Sequence, residues 1–143
     1  MDPISIICGL TALVNICTWA GKELHGLAGS YNSANSALIS ISRECRITSM
    51  SLARTQNVLR DRPEAFSRAG HNLELLRAFD AAILGIRQVI KDLVQSLSKF
   101  DATRPGFRQS TKFVLNEDEL KGLLEELRAQ RSLIDSVMNS IQM

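Results

Sequence analysis

The chain has 143 residues, of which 45% are hydrophobic and 22% charged, with a formal net charge of +2. That is one domain of ordinary size with enough apolar mass for a single core, and so small a net charge gives no field that points to nucleic acid. Aromatic residues are few and Leu, Ile, Val and Ala dominate, which suits an all-α protein.

The first element is the stretch from Asp2 to Gly29. Asp2 followed by Pro3 reads as a helix start, a short acid before a proline that fits the first turn. The nineteen residues from Pro3 to Gly21 carry no charge. As a helix they make a rod of about 28 Å, close to the hydrocarbon thickness of a bilayer. Ile4, Ile6, Ile7, Leu10, Leu13, Val14, Ile16 and Trp19 supply its apolar surface. Thr11, Asn15, Thr18, Lys22 and His25 recur at spacings of three and four and form one narrow polar stripe. Two readings stay open: a core helix that shows the stripe to water, or a helix that leaves a soluble fold and enters a membrane. A signal peptide is not indicated, because Asp2 leads and Lys22 is the first base.

Gly26, Gly29 and the polar run from Ser30 to Ser33 stop this helix, and a second spans about Ser33 to Asp61. Leu38, Ile41, Cys45, Thr48, Leu52, Thr55 and Leu59 keep an alternating three–four spacing, a seam that faces a bundle. The threonines in it imply looser packing. Arg43, Arg46 and Arg54 lie on or near one outer face. They are either a solvated helix surface or a contact for anionic lipid headgroups. Pro63 ends this helix, and Asp61 with Glu64 allows one short extra turn before His71, with Phe66 plugging the end of the bundle.

A third helix covers about Asn72 to Phe100. Leu76, Phe79, Ile83, Ile86, Ile90, Leu93, Leu97 and Phe100 form its stripe, widened by Leu75, Ala82 and Val89. It has the strongest periodicity and is expected to be the most buried element. Asp101 to Lys112 form a basic loop with a turn at Arg104-Pro105-Gly106. The fourth helix opens on a capping pattern of Asn116 and Glu119 flanked by Leu115 and Leu120. It continues through Leu123, Leu127, Ile134, Val137 and Ile141, interrupted by Gln130, which either sets register or reaches the surface. The pattern runs to Met143 without a stop, so residues 1–143 read as one domain of a longer protein. Four such helices predict an antiparallel four-helix bundle with room for one short extra helix.

Cys8, Cys17 and Cys45 are odd in number, lie on apolar faces and read as buried free thiols of an intracellular protein. No catalytic or metal constellation is found. His25 and His71 sit near helix ends without spaced partners, and no phosphate-binding glycine motif or nucleophile elbow occurs. The expectation is a non-enzyme with no cofactor, no small-molecule substrate and no nucleic-acid partner.

The opening Met-Asp-Pro-Ile-Ser-Ile and the Gly-Lys-Glu-Leu at 21–24 resemble the N-terminal domain of fungal STAND (NOD-like) receptors. So do Lys112-Phe113, Asn116 to Leu120, and the leucine-rich run from Leu123 to Ile134. That family is grouped with HeLo-like domains, helical bundles similar to the executioner domain of the necroptosis pseudokinase. The resemblance implies an effector module of programmed cell death, as in fungal immunity and heterokaryon incompatibility. It would be cytoplasmic, form a homo-oligomer on activation, relocate to the plasma membrane and meet anionic lipids through its N-terminal helix. The alternative from another class is a non-lytic module for homotypic or adaptor contacts.

Overall fold

The computed structural model describes residues 3–28, 35–64, 73–101 and 117–142. Four helices form α1 (Pro3–Ala28), α2 (Asn35–Asp61), α3 (Leu73–Asp101) and α4 (Glu117–Gln142), with no strand among the described residues. The protein is therefore all-α, as its apolar spacings require. Pro3 is the first residue of α1, where its missing N–H costs nothing. α2 ends at Asp61, two residues before Pro63, and the Arg62 N–H still reaches the Val58 carbonyl at 2.8 Å. The cap at Asn116, the plug at Phe66, the loop at 102–112 and the stripe end at Leu97 and Phe100 lie outside the described residues or side chains.

The three–four seams become the core. On α2, Leu38, Ile41, Cys45, Leu52 and Leu59 are enclosed, as are Phe79, Ile83, Ile86, Ile90 and Leu93 on α3 and Leu120, Leu127, Ile134 and Val137 on α4. Each such Leu or Ile removes enough apolar surface from water to contribute about 1.5–3 kcal/mol. Leu76 is only partly buried, at the edge of the stripe. Leu124 and Met138 are buried as well, because α4 packs against two neighbours and needs a wider apolar arc than one seam.

Around the bundle the order is α1, α2, α4, α3, so α2 and α3, consecutive in the chain, lie across the diagonal. α1 and α2 run antiparallel: Thr18 meets Ser49, while Thr11, earlier on α1, meets Gln56, later on α2. α2 and α4 run parallel as packed neighbours, since Glu44 pairs with Arg131 and Ser51 with Asp135. The expectation of a purely antiparallel bundle is corrected at this seam, where side-chain pairing decides the neighbour.

α2, rather than the more periodic α3, holds the most enclosed side chains among the described residues. Two polar lines flank its apolar seam. Toward α1, Ser42 donates to the Gly21 carbonyl at 2.8 Å, Ser49 accepts from Thr18 at 3.1 Å, and Gln56 donates to the Ile7 carbonyl at 3.2 Å and to Thr11. Toward α4, Glu44 is 3% exposed and takes Arg131 Nε at 2.6 Å and Nη2 at 3.4 Å on its two carboxylate oxygens. Arg128 adds a contact at 3.4 Å. Thr48 donates to the same carboxylate, and Thr55 donates to the Ser51 carbonyl. The seam threonines are thus fully enclosed with satisfied hydroxyls.

On the α3–α4 seam, Gln130 is half-buried and donates to Glu126 at 2.7 Å. Its stem lies over Gly85, where a Cβ would stand 2.6 Å from Cδ of Gln130. The glycine therefore provides the room that this polar residue occupies between two helices.

The Glu44 cluster gives a direct test. Arg131→Met leaves a buried carboxylate with only the Thr48 hydroxyl and the largely exposed Arg128, and breaking a buried pair from one side costs about 3–5 kcal/mol. Urea unfolding of this variant should show that loss. The double variant Glu44→Leu, Arg131→Met should recover most of it, because no unpaired charge is then buried. A loss below about 1 kcal/mol in the single variant, the size of a surface pair, would place Glu44 in water.

Candidate functional site

The feature that a folded bundle does not explain is the outward surface of α1. One arc of the helix is core: Leu10, Leu13, Cys17, Ala20 and Leu24 are buried. Ile6, Ile7 and Val14 are half-buried at its margin, and the side chain of Ile4 lies outside what the structure describes. A second arc is the polar stripe. Thr11, Asn15, Lys22 and His25 are exposed. Thr18 is not: it is half-buried, its one hydroxyl proton shared between the Val14 carbonyl at 2.9 Å and Ser49 on α2 at 3.1 Å. Thr18 thus belongs to the α1–α2 seam, which corrects its reading as a water-facing residue. Thr11, although exposed, is tied to the Ile7 carbonyl and to Gln56.

The third arc is apolar and exposed. Cys8, Ala12, Ile16 and Trp19 follow one another at four, four and three residues and lie open to solvent, with Ile16 at 38% and Trp19 at 43%. The line ends at the exposed Glu23. Cys8 belongs to this surface, so the expectation of three buried thiols is corrected: only Cys17 and Cys45 are buried. A run of apolar residues gives no sign by itself of which of them a neighbour will cover, and here the neighbours cover one side only.

α2 presents a matching outer stripe. Arg43, Arg46 and Arg54 are exposed on it, as expected, and Ile47 at 45% and Met50 at 69% lie between them. Arg43, Ile47, Met50 and Arg54 step by four, three and four, so cations and apolar side chains share one face. The stem of Arg46 packs beside Gly21 of α1, which joins this face to the α1 surface. The apolar half of the stripe was missed because two exposed residues break no period.

These surfaces have the components of an interfacial helix face, apolar groups to enter a headgroup region and cations to meet its charge. They do not make a transmembrane span: among the described residues no helix is long and apolar enough to cross a membrane, which corrects the length argument for α1. Nor do the described residues contain a cluster of three or more His, Cys, Asp or Glu that could hold a metal. Comparison with protein-family models, with curated proteins and with solved structures finds no match to this chain.

The cysteines report on both sides of α1. Burial pushes the Cys17 thiol up to about 12, and burial, with Cys17 and Glu44 nearby, does the same to Cys45. An alkylating reagent should therefore modify Cys8 in the folded protein and reach Cys17 and Cys45 only on unfolding. The linkage has a definite sign. The folded state keeps two protons that the unfolded chain releases above about pH 9, so stability is full below that pH and falls as pH rises toward 12. The slope approaches about 1.4 kcal/mol per unit for each thiol. Denaturant titrations at pH 8 and 10 should show the fall, and replacing both residues by alanine should remove that part of it. An equal fall in that variant would rule the thiols out as its source.

Proposed function

We propose that this chain is an effector domain that docks on anionic membranes through α1, oligomerises there on activation and acts in cell death in the manner of the HeLo-like domains it resembles. The observation that carries the reading is the exposed apolar line Cys8, Ala12, Ile16 and Trp19 on α1 beside the arginine-lined face of α2. Exposed apolar surface of this kind gains by entering a headgroup layer, and each arginine near acidic lipid adds about 1 kcal/mol. In this reading the domain is cytoplasmic at rest and moves to the plasma membrane when clustered. Clustering matters because several weak contacts on one assembly act together.

A second reading is a non-lytic homotypic module. Ile47 and Met50 favour it, since an exposed apolar pair on α2 suits contact with a second helical surface as well as it suits lipid. The two readings separate by which face loses function when it is charged.

Trp19 is the single tryptophan of the chain and lies on the proposed contact line, so its emission reports the event directly. Anionic vesicles should shift that emission to the blue and should sediment with the protein, whereas neutral vesicles should do so weakly. Ile16→Glu should abolish the shift. An exposed substitution changes stability by only about 0.5 kcal/mol, while an acid costs roughly 2.5–3.5 kcal/mol at the centre of a membrane helix and less at the interface. The triple variant Arg43→Gln, Arg46→Gln, Arg54→Gln should keep its melting temperature and lose most vesicle binding. Unshifted Trp19 emission at saturating anionic lipid, together with self-association that Met50→Glu disrupts, would decide for the homotypic module.

A further inference from the structure

α1 and α3 meet less closely than the other neighbouring helices, and a groove of about 400 Å³ opens between them. Its cause is in the sequence. Gly9 and Ala12 occupy the α1 side, where larger residues would close the gap, and Leu13, Ile16, Ile90 and Val94 make the walls apolar. Two cations stand at the rim, Arg87 and Lys91, one helical turn apart on α3. No acidic residue lines the groove, and neither cation has an ion-pair partner among the described residues. Arg87 lies across Gly9: a Cβ there would stand 3.1 Å from its Nη2, so the missing side chain lets the guanidinium rest over the groove.

We infer that this groove binds a medium-chain fatty acid, with the acyl chain along the α1–α3 walls and the carboxylate held by Arg87 and Lys91. The shape and the charge agree. Apolar clefts of this size with one or two fixed polar groups are typical of small-ligand sites. At roughly 30 Å³ per water-sized unit, the volume takes on the order of a dozen non-hydrogen atoms, a chain of about ten to twelve carbons with part of its head outside. An arginine fork beside an ammonium suits a carboxylate at the mouth. Such a ligand would bridge the least closely packed seam of the bundle and hold α1 to α3. The groove shares Ala12 and Ile16 with the proposed membrane-facing line, so Arg87 and Lys91, which belong to the groove and which the vesicle experiment does not vary, separate the two readings.

The test is calorimetric titration of the purified chain with octanoate, decanoate and dodecanoate, each below its micelle concentration. Expected is saturable one-to-one binding that tightens with chain length. The double variant Arg87→Gln, Lys91→Gln changes exposed residues only and should bind dodecanoate about tenfold more weakly or worse, each lost charge-assisted contact being worth a large part of that factor. Ala12→Trp fills the groove and should abolish binding while the ligand-free melting temperature stays near the parent. If that variant folds poorly, the charge variant alone still decides. Dodecylammonium or dodecanol binding as tightly as dodecanoate would overturn the carboxylate assignment, and so would dodecyl phosphate binding far more tightly. Absence of saturable binding, or dodecanoate affinity unchanged in the charge variant, would overturn the site.

Discussion

A carboxylate in a helical core has to be paired, and Glu44 is where that requirement shapes this fold. Its charge is enclosed between α2 and α4 and is met by the fork of Arg131, with Arg128 and Thr48 filling the remaining acceptor positions. The Coulombic gain of such a pair is largely cancelled by desolvation, so its worth lies less in net stability than in what it forbids. A slide of one turn that carried both Arg128 and Arg131 away from Glu44 would strand the charge. Side-by-side, parallel packing of these two helices follows. Asp135 extends the same logic one turn on, held by Ser51 from α2 and by Arg131 from its own helix.

With one flank of α2 committed to α4 and the other to α1 through Ser42, Ser49 and Gln56, α3 can only close the ring from the far side. It packs well on α4, where Gly85 accommodates Gln130, and less closely on α1. The exposed line on α1 and the groove beside it are therefore consequences of the ring order. α1 has three arcs and a neighbour on two sides, so one arc stays uncovered. The residues that would have sealed it on the α3 side are a glycine and an alanine.

Much of this was legible in the sequence. The α2 seam from Leu38 to Leu59 is buried throughout because a three–four spacing has one geometric solution on a helix. The same holds for Ile83, Ile90, Leu127 and Ile134. The misses share a cause: period identifies a face but not its neighbour. Glu44 was passed over because a charged residue beside an apolar seam is usually solvated, and nothing local says that Arg131, 87 residues away, will reach it. Cys8 reads as buried, and Ile16 and Trp19 are not told apart from Leu10 and Leu13, because an apolar residue looks the same in sequence whether or not it is covered. Thr18 was assigned to water for the converse reason, a hydroxyl that finds its partner across a helix seam. The order of the helices around the ring had no local signal either, since it is fixed by pairings between distant segments.

The magnitudes also decide how α1 would engage a membrane in the proposed function. To leave the bundle it would expose Leu10, Leu13 and Leu24, each worth about 1.5–3 kcal/mol of burial. It would also break the bonds from Ser42 and Gln56 to the Gly21 and Ile7 carbonyls, at about 0.5–1.5 kcal/mol apiece. The sum is on the order of the whole stability of a small domain. Peripheral docking needs none of it, because Cys8, Ala12, Ile16 and Trp19 already face outward with the bundle intact. On that proposal a single copy that is merely bound would keep α1 folded against α2. Release of the helix would require something to return the lost burial, such as the matching surface of another copy. In the proposed function, docking and release would then be separate steps with separate determinants, the first set by the exposed arc of α1 and the arginines of α2, the second by the polar line that ties α1 to α2.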